Sequence, residues 1–414
     1  MRILHLTTAL PSAHRIDGGA ARQFELITRA AAAGHSVVVV APIAEWMQRE
    51  YRPHEDLIGH GVRLVATPRR ASRERETFSA LCRHPQIAVR MVRAPLHGVQ
   101  TEMYLLDMER AIVEELRSRP DVVTVEHDFA VHLGDRVPPS VPKVLMTHNV
   151  SSAYYRSRAS SESTWRRWLY LAEARRASSY LRARIDTFTR LVAVSDEDAL
   201  ALATQTAVPV SVLPNGSAMD PVPSLAPGAP PTLLFTGTMS WPPNREGILW
   251  FVSEVWPHVV AEVPEARLNV VGRLPDQTVN GLATRDPRIR VTGEVPEMQP
   301  YYREAAVVIA PLLSGGGTRL KLLDAFAVGR PVVSTTIGAA GLAVSDGHEL
   351  VIADDPTAFA TQVLRLLADG ALREKLVTNA SRLVRERYHW DAISAQYVAL
   401  LQTAIDDSDR LVSR

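Results

Sequence analysis

The chain has 414 residues, 46% of them hydrophobic and 22% charged, with a formal net charge of +1. That length is too great for one ordinary core and suits two or three domains of a soluble globular protein. Near-neutral charge makes no electrostatic case for nucleic acid, and the single cysteine, Cys82, excludes an intramolecular disulfide and any multi-cysteine zinc site. One cysteine also fits a reducing cytosol. The opening run "RILHL" is too short, with the wrong flanks, for a secretory signal, and no apolar run approaches the roughly 18 residues that span a bilayer. The expectation is a cytoplasmic protein whose contact with a membrane, if it makes one, is peripheral at the inner face.

Along the chain, short apolar runs at 2–6, 36–40, 62–66, 122–126, 143–148 and 190–194 read as strands buried on both faces. Helical segments lie between them. "AARQFELITRAAAAGH" stops at Gly34, and "MYLLDMERAIVEELRSR" follows the third run. "SDEDALALA" begins with Ser195 as N-cap and Asp198 at the third helical position. Residues 151–190 are helical and Arg-rich with interleaved aromatics, either a solvated surface or a face for an anionic or membrane-associated acceptor. The basic stretches 69–75 and 83–95 raise the same question.

"VLPNGSAMDPVPSLAPGAPP", 212–231, breaks the rhythm with turn and linker residues. Alternation resumes with runs at 232–237, 267–272, 288–293, 306–311, 331–335 and 349–353. The pattern predicts two doubly wound β/α domains, 1–211 and 232–385, joined by a hinge linker at 212–231. A final helix within 386–414 is expected to pack at the domain junction.

The segment "LLSGGGTRLKLLDAFAVGRPVVST", 312–335, carries the most chemistry. It places Gly315, Gly316, Gly317 and Thr318 in a loop between the strand "AVVIAP" and a helix ending near Gly329. Open α/β sheets bind ligands at such strand ends. Unpaired first-turn N–H groups and the positive helix end favour an anion such as phosphate. Arg319 and Lys321 add cationic donors, and Lys321 is one of only three lysines in the chain. Asp324 lies about 4.5 Å further along the helix axis, placed to accept hydrogen bonds from sugar hydroxyls. The plain alternative is a generic glycine loop followed by a Lys–Asp surface pair. The spacing is not that of a Walker A loop. Gly18 and Gly19, after the first strand and just before a helix, form a weaker mirror of the same feature.

These pieces resemble the GT-B glycosyltransferases, most closely the retaining group 1 (family four) enzymes. The likeness runs through "GGAARQFELITRAAAAGHSVVVVAP", "LVAVSDEDA", "VLPNGSAMD", "LLFTGTMSWPPNREGILWF", "NVVG", the block 291–342 and "HWDAISAQYVALL". The resemblance implies two Rossmann-like domains facing across a cleft, with a nucleoside-diphosphate-sugar donor on the C-terminal one and the acceptor on the N-terminal one. It implies transfer of a hexosyl or deoxysugar group with retention, and a leaving diphosphate stabilised by cations and helix-end N–H groups, with no metal and no cofactor beyond the donor. The domains would close around the donor.

Carried over by position, the family's paired acidic motif falls on Gly316 and Asp324. Asp324 inherits the ribose contact, and the acid contacting the donor sugar is missing. Backbone N–H groups of 316–318 are the substitutes. The family's Gly-Arg falls on Gly237-Thr238, and its following Lys on Asn244 or Arg245. With those cations lost, Arg319 and Lys321 become the expected diphosphate ligands. His148 matches the N-domain histidine near the donor sugar, and Val295 the backbone position facing the base. "EHD", 126–128, reads as a polar rim. The expected partners are a nucleoside-diphosphate sugar and a sugar, lipid-linked or small-molecule acceptor, with the Arg-rich N-domain surface as a peripheral membrane contact. The products would be polysaccharides or secondary metabolites. Alternatives are a sugar-nucleotide epimerase or hydrolase of the same fold, and a non-catalytic nucleotide-sugar-binding protein.

Overall fold

The computed structural model describes residues 1–12, 18–44, 47–49, 53–68, 93–95, 108–160, 162–223 and 229–412. Cys82, the stretch 69–75 and most of 83–95 lie outside the described residues. The chain divides into two compact units, Met1–Pro214 with Asp391–Arg414, and Asn215–Trp390.

The first unit holds a seven-stranded sheet of order β3-β2-β1-β4-β5-β6-β7, parallel throughout. Its strands are β1 (Arg2–Leu6), β2 (Ser36–Ile43), β3 (Val62–Pro68), β4 (Val122–Glu126), β5 (Lys143–Met146), β6 (Arg190–Ala193) and β7 (Val210–Val212). Ser195 caps the helix Asp196–Ala203 by accepting the Asp198 N–H, as the capping pattern predicts. The predicted strands are all present. The edge strand β7 was not anticipated, because three residues ending two positions before Pro214 carry too little periodicity to register.

The second unit holds a six-stranded parallel sheet of order β10-β9-β8-β11-β12-β13. These are β8 (Thr232–Thr236), β9 (Arg267–Val271), β10 (Ile289–Gly293), β11 (Val307–Ala310), β12 (Val332–Ser334) and β13 (Val351–Ile352). Alternation along each strand feeds two cores. Leu233, Phe235, Val307 and Ile309 join one, while Leu234, Val308 and Ala310 join the other. Both faces are thus covered, which is why these strands read as continuous apolar runs.

In each sheet the strand order reverses once, between β1 and β4 in the first and between β8 and β11 in the second. Crevices outside the carboxyl ends at such points are where open α/β sheets take ligands. The segment drawn as a linker at 212–231 is divided between the units. Val212 ends β7, and Asn215 onward belongs to the second unit. That unit also runs to Trp390 rather than 385, and the helix Trp390–Val412 joins the first unit from Asp391.

Of three adjacent strands, β8 and β9 are followed directly by Gly237 and Gly272, and β10 ends on Gly293. At Gly272 the need for glycine is steric, since a Cβ there would sit 1.9 Å from the Gly237 carbonyl oxygen. Gly272→Ala is therefore expected to force β8 and β9 apart. The cost is about 3 kcal/mol or more, read as a Tm fall of roughly 10 °C. Gly281, whose Cβ would point into open space within the helix Gln277–Arg285, is the control. Gly281→Ala should raise Tm slightly.

Candidate active site

In the second unit the loop 311–319 runs from β11 to the helix Leu320–Val328. Arg319 is the N-cap residue, with no side chain capping the first turn and no acidic residue in it. The C-terminus closes on Gly329 in the left-handed conformation. Gly315 has φ +135°, and a Cβ there would stand 2.5 Å from Arg319 Nη2. Only glycine at 315 lets this guanidinium lie against the loop. Arg319 Nη1 donates to the Gly316 carbonyl and, at 3.4 Å, to that of Gly317.

Lys321 leaves the helix toward the end of β8. Its ammonium donates to Asn244 Oδ1 at 2.8 Å and stands 4.3 Å from the centre of the Phe235 ring. Burial, chiefly, and the neighbouring Arg319 charge pull its pKa down to about 7. Two cations near enough to repel, at an uncapped helix N-terminus, form a site of positive potential suited to an anion.

Asn244 also donates through Nδ2 to the Thr238 carbonyl at 3.0 Å, so it ties the end of β8 to Lys321. Of the two residues proposed for the lost lysine, Asn244 reaches Lys321. Arg245 turns away and donates to Asp276 Oδ2 at 2.5 Å and to Thr278 Oγ1 at 3.2 Å. It braces the N-cap of the helix Gln277–Arg285, which Asp276 caps. Arg273 was missed. It follows Gly272 at the end of β9, and its carbonyl accepts the Met239 N–H at 2.9 Å. The Gly-Arg pair absent at 237–238 thus occurs one strand over, with the Arg273 guanidinium 4.0 Å from Glu294.

Two further residues support the loop. Asn215 Nδ2 donates to Thr318 Oγ1 at 2.6 Å, and Ser217 Oγ donates to Asp324 Oδ1 at 2.7 Å. Ser217 is itself fixed by its N–H to the Tyr388 carbonyl. The motif "PNGS" therefore orients both the threonine and the carboxylate of the candidate site. Val295, in the loop after β10, is half-buried and packs against the core that includes Leu322 and Phe326.

In the first unit Gly18 and Gly19 are the first two residues of the helix Gly18–Ala32, not of a loop before it. No acidic residue occupies that first turn. His148 lies two residues beyond β5. Its Nε2 is 2.5 Å from Glu126 Oε2, and its ring stacks on His127 at 4.3 Å between centroids. His127 has φ +72° and stacks in turn on Phe129. Glu126 is not a polar rim, being 1% exposed. Burial raises its pKa, with His5, His127 and Arg22 opposing.

His5 bonds Thr124 and Gln23 through its two ring nitrogens, and burial lowers its pKa. Arg22 is fully buried and donates to the carbonyls of Leu213 and Pro214, with burial lowering its pKa to about 10. Tyr397 hydrogen-bonds Thr124, and burial raises its pKa. Asp128 accepts both the N–H and the hydroxyl of Ser151, at the start of the helix Ser151–Ser160, with a pKa raised to about 6 by burial. The Asp128–Ser151 bonds hold the chain just after His148.

Residues 230–369 match the family of group 1 glycosyl transferases. The described fold is that of the GT-B glycosyltransferases, and the group 1 match falls within the second unit. Over 97% of this chain and 99% of the other, the structure resembles Anabaena HepE in complex with UDP and glucose, with a TM-score of 0.65 and 15% identity. In sequence it is 24% identical to an uncharacterized 44.6 kDa protein in the cps region of Klebsiella pneumoniae, over 80% of this chain and 88% of that protein. It is 30% identical to the phosphatidyl-myo-inositol mannosyltransferase of Mycolicibacterium smegmatis, over 42% of this chain and 45% of that protein.

Proposed function

We propose that this glycosyltransferase moves a hexosyl or deoxysugar group from a nucleoside diphosphate to an acceptor hydroxyl with retention at the anomeric carbon. One observation carries the reading: the uncapped helix end at Leu320, flanked by Arg319 and Lys321, stands beside the strand-order reversal of the second sheet. In the reaction the C1–O bond to the β-phosphate breaks and its electron pair goes to the departing diphosphate. The acceptor oxygen bonds to C1 and its proton is released. Charge develops on the phosphate, so preorganised cations and N–H groups there lower the barrier.

Lys321 and Arg319 are assigned to that charge, acting without a metal. Asp324, oriented by Ser217, takes the ribose. Asn244, Thr238 and the backbone of 316–318 line the phosphates and sugar, and Val295 the base. Gly18, Gly19 and His148 are the first unit's contributions, with His148 assigned to the transferred sugar. The HepE complex with UDP and glucose supports a nucleotide-sugar donor. The phosphatidyl-myo-inositol mannosyltransferase relative supports a lipid-linked acceptor among the sugar, lipid-linked and small-molecule acceptors.

A thermal-shift screen with UDP-, GDP-, dTDP- and ADP-sugars tests the donor. One base class should stabilise the protein, by about 2.7 kcal/mol at a hundred times its Kd. No shift with any of the four, and no turnover, rejects the reading. Release of nucleoside diphosphate or formation of an epimer without acceptor assigns the chain to hydrolysis or epimerisation. Binding without turnover across an acceptor panel assigns it to sugar-nucleotide binding alone.

A further inference from the structure

The helix pair Ser151–Ser160 and Arg166–Arg182 presents an outward face that the donor chemistry does not use. On the second helix Ala174, Ala177, Tyr180 and Leu181 are buried. The opposite arc is wet, and at its start residues 163–169 are exposed without interruption. Trp165, Trp168 and Leu169 are 68%, 70% and 54% exposed, three of the largest exposed hydrophobic side chains among the described residues. Their i, i+3, i+4 spacing puts them on one side of the first turn.

Charge accompanies them. Arg166 and Arg167 are exposed between the tryptophans, and Arg156, Arg175 and Arg182 are exposed along the same pair. From Ser163 to Ala172 the sequence has no acidic residue, and 151–182 carries seven arginines against two glutamates. A solvated helix face does not need two bare indoles, and the net positive charge around them selects an anionic partner. Indole rings favour the headgroup level of a bilayer, and arginine favours anionic lipid.

We propose that this face docks on a membrane containing anionic lipid, with Trp165, Trp168 and Leu169 entering the headgroup layer and the surrounding arginines on the phosphates. The inference is independent of the donor reading, because docking requires no turnover.

The test is sedimentation of the full chain with phosphatidylcholine vesicles, with and without about a third phosphatidylglycerol. Binding is expected to the anionic vesicles only and to weaken as salt is raised. Arg166→Gln with Arg167→Gln should lower the partition coefficient by about fivefold for each arginine. Trp165→Ser with Trp168→Ser should lower it at least about tenfold at every salt concentration. All four side chains are exposed, so unchanged Tm is the check that the variants fold. Equal binding to both vesicle types, or tryptophan variants that bind like the wild type, overturns the proposal. A concentration-dependent dimer that the tryptophan variant loses, with no vesicle binding, assigns the face to a second copy of this chain and equally overturns it.

Discussion

Lys321→Ala and Arg319→Ala are each expected to lower kcat by roughly a hundredfold or more, with the double variant little worse than either single one. In the proposed assignment the two cations share one charge-stabilising task, so their effects should not add. Lys321 also sets a pH dependence with a fixed sign. A lysine with a pKa of about 7 is half neutral near physiological pH. A diphosphate beside it restores the charged form and raises that pKa. Affinity for a nucleoside diphosphate is therefore expected to be full below pH 7 and to weaken as pH rises through and above that value, until the pKa of the complex is passed. At pH 8 binding should take up nearly one proton, measured by calorimetry in buffers of differing ionisation heat.

Lys321→Met removes the proton uptake. It should also raise Tm near neutral pH, because the buried cation is a cost to the folded chain that phosphate offsets. A variant that loses activity and stability together would instead make Lys321 a structural residue. Unchanged turnover in both alanine variants would falsify the diphosphate assignment.

The periodicity of apolar runs carried the fold because the central strands of both sheets are buried on two faces, where sequence and structure correspond most directly. β7 escaped as a three-residue edge. The glycine loop was legible for the same reason that it works: Gly315 must accept the Arg319 guanidinium where a Cβ would stand, and that need shows as a run of glycines. Direction was not legible. Asn244 and Arg245 are adjacent in sequence, yet a helix turns neighbours about 100° apart. One therefore meets Lys321 and the other a surface N-cap.

Contacts remote in sequence were equally hidden. Ser217 and Asp324 are 107 residues apart, and only the fold brings the hydroxyl to the carboxylate. Glu126 was misplaced on a rim because a charged residue after an apolar run suggests solvent. Instead His5, His148 and Arg22 surround it, partners supplied by three other segments. Arg273 could have been found. The repeated strand-end glycine in "LLFTG", "NVVG" and "RVTG" marks three equivalent positions, and only the second is followed by a cation.

Glu126→Gln is expected to lower kcat by roughly ten- to a hundredfold with little change in KM. The carboxylate does not touch substrate in this assignment. It is a positioning residue that accepts from His148 Nε2 and so fixes the ring's tautomer and plane, while the His127 stack limits its tilt. An amide at 126 can offer its NH2 to the same nitrogen and reverse the tautomer. Loss of a buried carboxylate also leaves Arg22 and His5 with less compensation, so some fall in Tm accompanies any kinetic effect.

A double-mutant cycle separates the two. In a His148→Ala background, Glu126→Gln should cost no further turnover although it still lowers Tm. Because burial raises the Glu126 pKa, the acid limb of kcat in the parent enzyme should lie above the ordinary carboxylate range, and Glu126→Gln should remove it. If Glu126→Gln costs the same factor with and without His148, the carboxylate acts through the fold alone and His148 loses its partner role.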